Sequence, residues 1–308
     1  MTAYSAGLAG VIAGESAIST VGHPGSGLTY RGYEISDLAQ AGDFEEVAYL
    51  LLYGTLPTQS ALTRYKQDLM EKRTLPKALK TLLEMIPSQA SPMDVLRTAC
   101  SYLGTLEPEQ AFSEQLAIAN RLIALFPGIL CYWYRFHTTG ERIDEHSDES
   151  STGGHFLKLL QGRSPSDLVR HMLNVSLILY AEHDFNASTF AARVTAGTLS
   201  DFYSAITSAI GTLKGPLHGG ANEAAMALLS QFQNPEAAEK SLLAKLAHKE
   251  KIMGFGHRVY TTHDPRSDII KALSQQLAIK LASMSLFEIS ERVEQVMKRE
   301  KKLFPNLD

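Results

Sequence analysis

Cysteine is scarce in this 308-residue chain: there are only two, Cys100 and Cys131, and neither belongs to a CxxC pair or to a Cys/His spacing typical of metal sites. We therefore expect both to be buried thiols in a reducing compartment. Concentrated positive charge is also missing. Lys and Arg total 29 against 33 for Asp and Glu, with a net charge of -4. Because phosphate binding needs a cationic face, nucleic acid is not an expected partner.

Long uninterrupted apolar runs are absent as well. The longest candidate, residues 116–134, contains Asn120, Arg121 and Pro127-Gly128, so we expect it to fall short of the about 20 apolar residues that a membrane span requires. No basic residue precedes Arg31, which argues against a secretory or mitochondrial presequence. The sequence predicts no membrane association and a cytoplasmic location.

The composition is that of a globular protein. Hydrophobic residues make up 44% of the chain and charged residues 20%, so the chain has enough apolar area to offset the entropy lost on ordering. The length predicts two domains or one large helical domain, and a cleft between two lobes is plausible.

Helical spacing dominates the sequence. A capping box formed by Asp43 and Glu46, with Gly54 and Pro57 after the apolar segment, predicts one helix. Apolar residues recur at steps of three or four in further segments, which begin at Leu168, Leu199, Ala221 and Leu286. Strand patterns are confined to residues 18–21 and 28–33, which flank a turn-rich segment and predict a small hairpin. We therefore predict an all-α fold with a small N-terminal β-hairpin.

The first chemical candidate is His218, in a segment where Gly215-Pro216 ends one helix and Gly219-Gly220 precede the next. Glycines there would allow the backbone to approach a ligand. A histidine near a helix N-terminus is kept neutral by the helix dipole, and a neutral imidazole can donate one hydrogen bond to a carbonyl. The alternative is that His218 only caps the preceding helix.

Two further segments concentrate polar groups and glycine. Gly254 and Gly256 bracket an aromatic residue shortly before His257, and Arg266 follows with a planar guanidinium suited to a carboxylate. His183 follows a predicted helix in a segment dense in donors and acceptors. No His-x-x-x-His pair occurs, so a metal site is not predicted. Three other histidines are predicted to lie in or beside a surface loop over residues 138–154, namely His137, His146 and His155.

Three motifs, in this order, carry a resemblance to a known family: AEHDFNAST, GPLHGGANE and GFGHRVYxxxDPR, followed by a closing FPNLD. The chain resembles the citrate synthase family from about Leu8 to its last residue. Within that family it is most similar to the 2-methylcitrate synthases, on segments at residues 19–22, 30–33, 132–134, 140–142 and 153–156.

The resemblance implies a role for individual residues. Enzymes of this family condense an acyl-CoA with oxaloacetate, and coenzyme A is part of the substrate rather than a bound cofactor. His218 corresponds to the histidine that hydrogen-bonds the thioester carbonyl, His257 to the one that faces the ketone, and Asp308 to the carboxylate that removes the α-proton. His183 and Arg266 correspond to oxaloacetate ligands. A loop matches the segment that holds the adenine end of coenzyme A, namely Lys251, Ile252, Met253, Gly254 and Phe255.

The resemblance also implies a two-lobed helical homodimer that uses no metal. We expect a large domain over residues 1–219, a small domain over 220–300, and a return toward the large domain over 301–308. Tyr180 and Leu307 are expected to border the acyl group, and propionyl-CoA is the expected acyl donor. Two alternatives remain, a citrate synthase that uses acetyl-CoA and a non-catalytic coenzyme A-binding relative.

One departure from the family concerns the C-terminus. Family members continue beyond the Asn-Leu-Asp motif with a helical segment that carries further arginines. We expect the sequence to be part of a longer protein, because the helical core would otherwise expose an apolar seam. A truncated, inactive form is the alternative.

Overall fold

The computed structural model describes residues 13–23 and 26–308. Three short strands come first, β1 (Ser19–His23), β2 (Ser26–Tyr30) and β3 (Tyr33–Glu34). The α-helices of the described chain are α1 (Ile35–Ala41), α2 (Phe44–Tyr53), α3 (Gln59–Glu71), α4 (Lys77–Met85), α5 (Pro92–Leu106), α6 (Gln115–Thr139), α7 (Thr152–Gln161), α8 (Asp167–Tyr180), α9 (Ala187–Gly197), α10 (Phe202–Leu213), α11 (Gly220–Leu229), α12 (Pro235–Ala247), α13 (Ser267–Lys280) and α14 (Ser285–Lys301). The predicted all-α fold with a small N-terminal sheet is confirmed.

The sheet has one more strand than the predicted hairpin. β1 pairs antiparallel with β2 from Ser19 opposite Tyr30, and β2 pairs antiparallel with β3. The predicted second strand is interrupted because Arg31 and Gly32 have positive φ angles of 50° and 89°, which turn the chain between β2 and β3. Pro24-Gly25, at the predicted hairpin turn, lies outside the described residues.

Local signals set several helix ends correctly. At α2 both hydrogen bonds of the capping box are present, and Gly54 ends the helix in the left-handed conformation. The apolar helical segment predicted to begin at Leu199 was wrong in its first residue, because helix α10 begins later. Asp201 caps α10 by accepting a hydrogen bond from the backbone of Ser204 at 2.9 Å, and Leu199 lies before the helix with 93% of its surface exposed.

Separate apolar clusters form the core of the described chain. The largest joins α4, α5, α6 and α10, and a second packs the sheet against α1, α2, α8 and α13. A third joins α12 and α14 with Ile252 and lies within the predicted small domain. The boundaries at residues 219 and 300 remain a prediction.

The longest helix lies in the first cluster. By length and composition the segment Phe112–Thr139 could cross a membrane, so the expectation that polar interruptions make it too short was wrong. However, 67% of its most apolar stretch is buried inside the protein, which is typical of a core helix. No other such helix occurs in the part of the chain that the structure describes.

Both cysteines are free and buried, as predicted. Burial raises the pKa of Cys100 to about 11 and that of Cys131 to about 12, which makes these thiols unreactive. The loop prediction was wrong for two histidines. His137 lies in α6, and His155 is buried in α7, where its Nδ1 lies 2.9 Å from the hydroxyl of Ser147.

Candidate active site

One cavity of about 730 Å³ brings the predicted site residues together. It lies among the end of α8, the start of α11, the loop over residues 251–258 and the last residues of the chain. All twelve residues that the sequence predicted for catalysis or binding line it, namely Tyr180, His183, His218, Lys251, Ile252, Met253, Gly254, Phe255, His257, Arg266, Leu307 and Asp308.

The tight turn between α10 and α11 positions His218. The backbone N–H groups of His218 and Gly220 both donate to the carbonyl of Gly215, at 2.9 and 3.1 Å. A Cβ on Gly220 would lie 2.3 Å from the carbonyl oxygen of Lys214, and one on Gly219 would lie 2.6 Å from Leu213. The two glycines are therefore required by this turn itself; that they also allow the backbone to approach a ligand remains a prediction.

The hydrogen bonds of His218 determine which ring nitrogen carries its proton. Nε2 accepts a hydrogen bond from the backbone N–H of Ser188 at 3.2 Å and lies 2.8 Å from the hydroxyl of the same residue. Since a backbone N–H can only donate, the proton of the neutral ring is on Nδ1. Burial lowers the pKa of His218, which favours this neutral form. Among the residues that the structure describes, none accepts a hydrogen bond from this Nδ1–H, so His218 can donate it to a carbonyl oxygen.

A short pairing of two segments brings the end of the chain to the loop over residues 251–258. Gly256 donates to Phe304 at 2.8 Å, Asn306 donates to Gly254 at 3.0 Å, and the Asn306 amide donates to Gly256 at 2.9 Å. Gly254 has a φ of 88°, and a Cβ at that position would lie 3.7 Å from the carbonyl carbon of Asp308. This pairing places the carboxylate of Asp308 at the cavity that His257 also lines.

His257 has its tautomer set by the following turn. Its Nδ1 accepts hydrogen bonds from the backbone N–H groups of Val259 at 3.0 Å and Tyr260 at 3.2 Å. The proton of the neutral ring is therefore on Nε2, the reverse of His218. Burial lowers the pKa of His257; the charge of Asp264 opposes the shift and that of Arg266 adds to it.

His183 lies three residues beyond α8, beside His257. The two imidazole centroids are 4.9 Å apart, and His183 Nε2 lies 3.2 Å from the hydroxyl of Tyr260. Burial is the largest cause that lowers the pKa of His183 to about 4, and the positive charge of Arg266 contributes. The ring is therefore neutral at physiological pH.

Arg266 is held by a carboxylate that sequence reasoning did not assign. Its Nε and Nη2 donate to the two oxygens of Asp264 at 2.9 and 2.8 Å. The Asp264 side chain is fully buried and that of Arg266 is 9% exposed. Burial would raise the pKa of Asp264, but the hydrogen bonds and charge of Arg266 hold it below the usual value. In the described part of the chain Nη1 makes no hydrogen bond, because the pairing uses only Nε and Nη2, so its N–H groups can bind a carboxylate.

The surroundings of Asp308 make its carboxylate a stronger base. Burial raises the pKa of Asp308, while the positive charge of Arg266 lowers it to a smaller extent. Tyr180 lies beside this carboxylate. Its hydroxyl donates to the carbonyl of Leu307 at 3.2 Å and accepts from the amide of Asn222 at 2.7 Å. Tyr180 and Leu307 thus both border Asp308; that they form an acyl pocket remains a prediction.

The loop over residues 251–258 has a buried residue, Ile252, that anchors it. Ile252 is 8% exposed and belongs to the apolar cluster of α12 and α14, so its side chain fixes the loop to those helices. Lys251 is exposed at the cavity rim. The roles predicted for the five loop residues in binding coenzyme A remain predictions.

Among the described residues, one group could hold a metal ion, formed by Asp144, Glu145 and His146. It is not part of the cavity, and Glu145 already accepts hydrogen bonds from Lys80 at 2.6 Å and from the backbone of Leu75 at 3.2 Å.

Sequence reasoning left out three residues of the site, Asp264, Tyr260 and Ser188. Asp264 had a local signal, because it lies two residues before Arg266. Ser188 contacts His218, 30 residues away, and the Tyr260 hydroxyl contacts His183, 77 residues away, and no local spacing indicates either contact.

Solved structures share this arrangement of helices. Citrate synthase from Thermotoga maritima superimposes with a TM-score of 0.86 at 36% identity, over 98% of this chain and 81% of that one. Citrate synthase from Thermoplasma acidophilum, in a ternary complex with carboxymethyl coenzyme A and oxaloacetate, gives a TM-score of 0.89 at 31% identity, over 97% of this chain and 80% of that one. The fold and the histidine-lined cavity thus define an all-α enzyme of the citrate synthase type.

Sequence comparisons agree with the structural ones. The family model described as "Citrate synthase, C-terminal domain" matches residues 7–308. A 2-methylcitrate synthase from Shewanella oneidensis is 57% identical over 98% of this chain and 81% of its own length. Citrate synthase 2 from Bacillus subtilis is 42% identical over 98% of this chain and 82% of its own length. The chain belongs to the citrate synthase family.

Proposed function

We propose that this enzyme condenses propionyl-CoA with oxaloacetate and water to give 2-methylcitrate and coenzyme A. The observation that carries the proposal is the arrangement of His218, His257 and Asp308 around one cavity, with Arg266 in the same wall. The choice of propionyl-CoA is supported by the relative from Shewanella oneidensis, which is 57% identical and is named a 2-methylcitrate synthase.

Oxaloacetate binding is the first step that the site supports. The free N–H groups of Arg266 suit one carboxylate of oxaloacetate, and the buried Asp264 orients the guanidinium through two hydrogen bonds. His183 lies 4.9 Å from His257 between ring centroids and can donate to a second substrate oxygen. The ketone is thereby oriented toward the thioester, which lowers the entropic cost of the bimolecular step.

Removal of the α-proton follows. A thioester α-hydrogen is a weak acid, so Asp308 can remove it only if the developing enolate oxygen is stabilised. The Nδ1–H of neutral His218 supplies one hydrogen bond to that oxygen, because its Nε2 is already held by Ser188. Loss of such a donor typically lowers the rate by ~10²- to 10³-fold.

Formation of the carbon–carbon bond and hydrolysis complete the reaction. The enolate carbon attacks the ketone carbon, and the ketone oxygen becomes an alkoxide. His257 donates the proton on its Nε2 to this oxygen, since its Nδ1 accepts from the backbone. Water then attacks the thioester carbonyl and returns a proton to His257, and the proton held by Asp308 goes to the coenzyme A sulfur as the carbon–sulfur bond breaks.

The acyl group is expected to lie beside Tyr180 and Leu307, next to Asp308. One methylene in an apolar pocket contributes only ~1–3 kcal/mol to discrimination, so acetyl-CoA should also react, but more slowly. The reaction belongs to propionate breakdown in the cytoplasm and uses neither a metal ion nor a bound cofactor.

We also propose that the enzyme is a homodimer. Helix α9 is rich in Ala and other small residues, yet none of its residues is buried within one chain. Val194 on this helix is 57% exposed, and Leu199 just beyond it is 93% exposed. Covering these apolar side chains with a second copy would remove them from water.

Initial rates with propionyl-CoA and acetyl-CoA, followed by release of free thiol, test the proposed function. We expect kcat/KM to be about 10- to 200-fold higher for propionyl-CoA, the range that one methylene provides. An equal or higher value for acetyl-CoA would instead identify a citrate synthase. No turnover with either thioester, despite binding, would identify a non-catalytic coenzyme A-binding relative.

A further inference from the structure

Tyr260 is a nearly buried residue that lies beside two histidines of the cavity and has no role in the reaction described above. It is 6% exposed, and its ring lies beside both histidines of the oxaloacetate region. The centroid of the Tyr260 ring is 4.6 Å from that of His257 and 5.5 Å from that of His183, with the His183 ring nearly perpendicular at 88°. Tyr260 therefore packs against both imidazoles.

The two histidines contact different parts of Tyr260. Its backbone N–H donates to Nδ1 of His257 at 3.2 Å, and its side-chain hydroxyl lies 3.2 Å from Nε2 of His183. A substitution that removes only the hydroxyl therefore abolishes the contact with His183 and leaves the contact with His257 in place. The ring packing and the backbone hydrogen bond would remain.

The direction of the hydroxyl hydrogen bond follows from satisfying buried polar groups. If Nε2 of His183 donated to Tyr260, the tyrosine hydroxyl proton would need another acceptor. In the described part of the chain, no other hydrogen bond of this hydroxyl is seen. Buried hydroxyl groups rarely lack a partner, so the hydroxyl donates and Nε2 accepts. Burial also raises the pKa of Tyr260, which keeps the phenol protonated.

We propose that Tyr260 is a positioning residue, whose hydroxyl holds His183 as the Nδ1–H tautomer and orients it for oxaloacetate. The ring of His183 is neutral, so it has one proton to donate. With Nε2 occupied by Tyr260, that proton is on Nδ1 and is available to a substrate oxygen. The tautomer of His183 does not depend on the proposed function, whereas the benefit to oxaloacetate binding rests on the proposed function.

Tyr260→Phe tests the proposal with two independent readouts on the full chain. Nitrogen-15 NMR of histidine-labelled protein distinguishes the two tautomers, and His183→Gln identifies the His183 signals. We expect the Nδ1–H form of His183 in the parent protein and a mixture of both forms in Tyr260→Phe. In kinetic assays we expect KM for oxaloacetate to rise about 5- to 10-fold, the effect of losing one neutral hydrogen bond. The value of kcat should change less than about two-fold, because His257 keeps its backbone hydrogen bonds.

Tyr65→Phe is the matched control. Tyr65 is 5% exposed, and its hydroxyl donates to the side chain of Asn120 at 3.0 Å, outside the cavity lining. It should lose thermal stability much as Tyr260→Phe does, with no change in KM or in the His183 signals.

The outcomes separate the proposal from the proposed function. An unchanged His183 tautomer in Tyr260→Phe, or the Nε2–H form in the parent protein, would overturn the role of Tyr260 whatever the enzyme condenses. If KM for oxaloacetate rose equally in Tyr260→Phe and in Tyr65→Phe, the contribution of Tyr260 would be purely structural. That result would also overturn its role as a positioning residue. If the parent protein turns over neither thioester, the proposed function fails while the NMR experiment still decides the tautomer.

Discussion

Replacing Asp264 with Asn should be among the most damaging single changes to the oxaloacetate region. The carboxylate of Asp264 is fully buried, and it accepts hydrogen bonds from Nε and Nη2 of Arg266 at 2.9 and 2.8 Å. Asp264→Asn preserves shape but leaves the guanidinium of Arg266 buried without its counter-charge. Breaking a buried pair from one side costs ~3–5 kcal/mol, which for a chain of this size lowers the melting temperature by roughly 5–15 °C.

Thermal unfolding as a function of pH measures this effect. The folded-state pKa of Asp264 is lowered, so the pair stabilises the protein above the ordinary Asp pKa of about 4. This stabilisation should be lost as the pH falls through the lowered folded-state pKa. The difference in melting temperature between parent and Asp264→Asn should therefore be full at pH 7 and shrink in acid.

A matched control is the exposed pair of Asp148 and Lys158, whose N···O distance is 2.6 Å. The Asp148 side chain is 81% exposed, so Asp148→Asn should shift the melting temperature by less than about 1 °C. Equal melting temperatures for Asp264→Asn and Asp148→Asn at pH 7 would refute the reasoning. A difference from the parent that persists unchanged in acid would show that charge pairing is not its cause.

Two further changes probe the geometry and the chemistry of the site. In Gly27→Ala, the new Cβ would lie 2.9 Å from the ring of Pro265, so β2 should displace the segment that carries Arg266. We therefore expect a higher KM for oxaloacetate. Gly211→Ala is the control, because its Cβ would lie 3.5 Å from the nearest neighbour, and it should leave KM unchanged. Asp308→Asn should lower kcat by ~10²- to 10⁴-fold, the usual effect of losing a general base. It should also abolish exchange of the acyl α-hydrogen with deuterated solvent. Exchange at the parental rate would mean that another group is the base.

Much of the fold was predictable because its signals are local. The capping box at Asp43 and Glu46 and the left-handed Gly54 depend on residues that are neighbours in the chain, and α2 begins and ends where they indicate. Errors arose where tertiary contacts decide. His155 follows a polar segment in sequence, yet it is 1% exposed, because α7 packs on α6 and turns that side chain inward.

The positions of the site residues were predictable from their motifs, and their arrangement was not. Residues 254–256 pair with residues 304–306 through three hydrogen bonds, and this pairing brings Asp308 to the loop of His257. No periodicity indicates such a contact, since the two segments are far apart in the chain and neither is a regular strand. The glycines before α11 show the same limit. A glycine pair is compatible with a ligand or with a tight turn, and only the 2.3 Å approach to Lys214 identifies the turn.

The chemistry of the three histidines depends on information that a motif does not contain. A motif identifies an imidazole, whereas the reaction requires an N–H on one particular ring nitrogen. For His218 that nitrogen is set by Ser188, 30 residues away, and for His183 we infer that it is set by Tyr260, 77 residues away. For His257 it is set within three residues. Transplanting the histidine motifs alone into another helical scaffold should therefore reproduce the proton position at His257 more readily than at the other two.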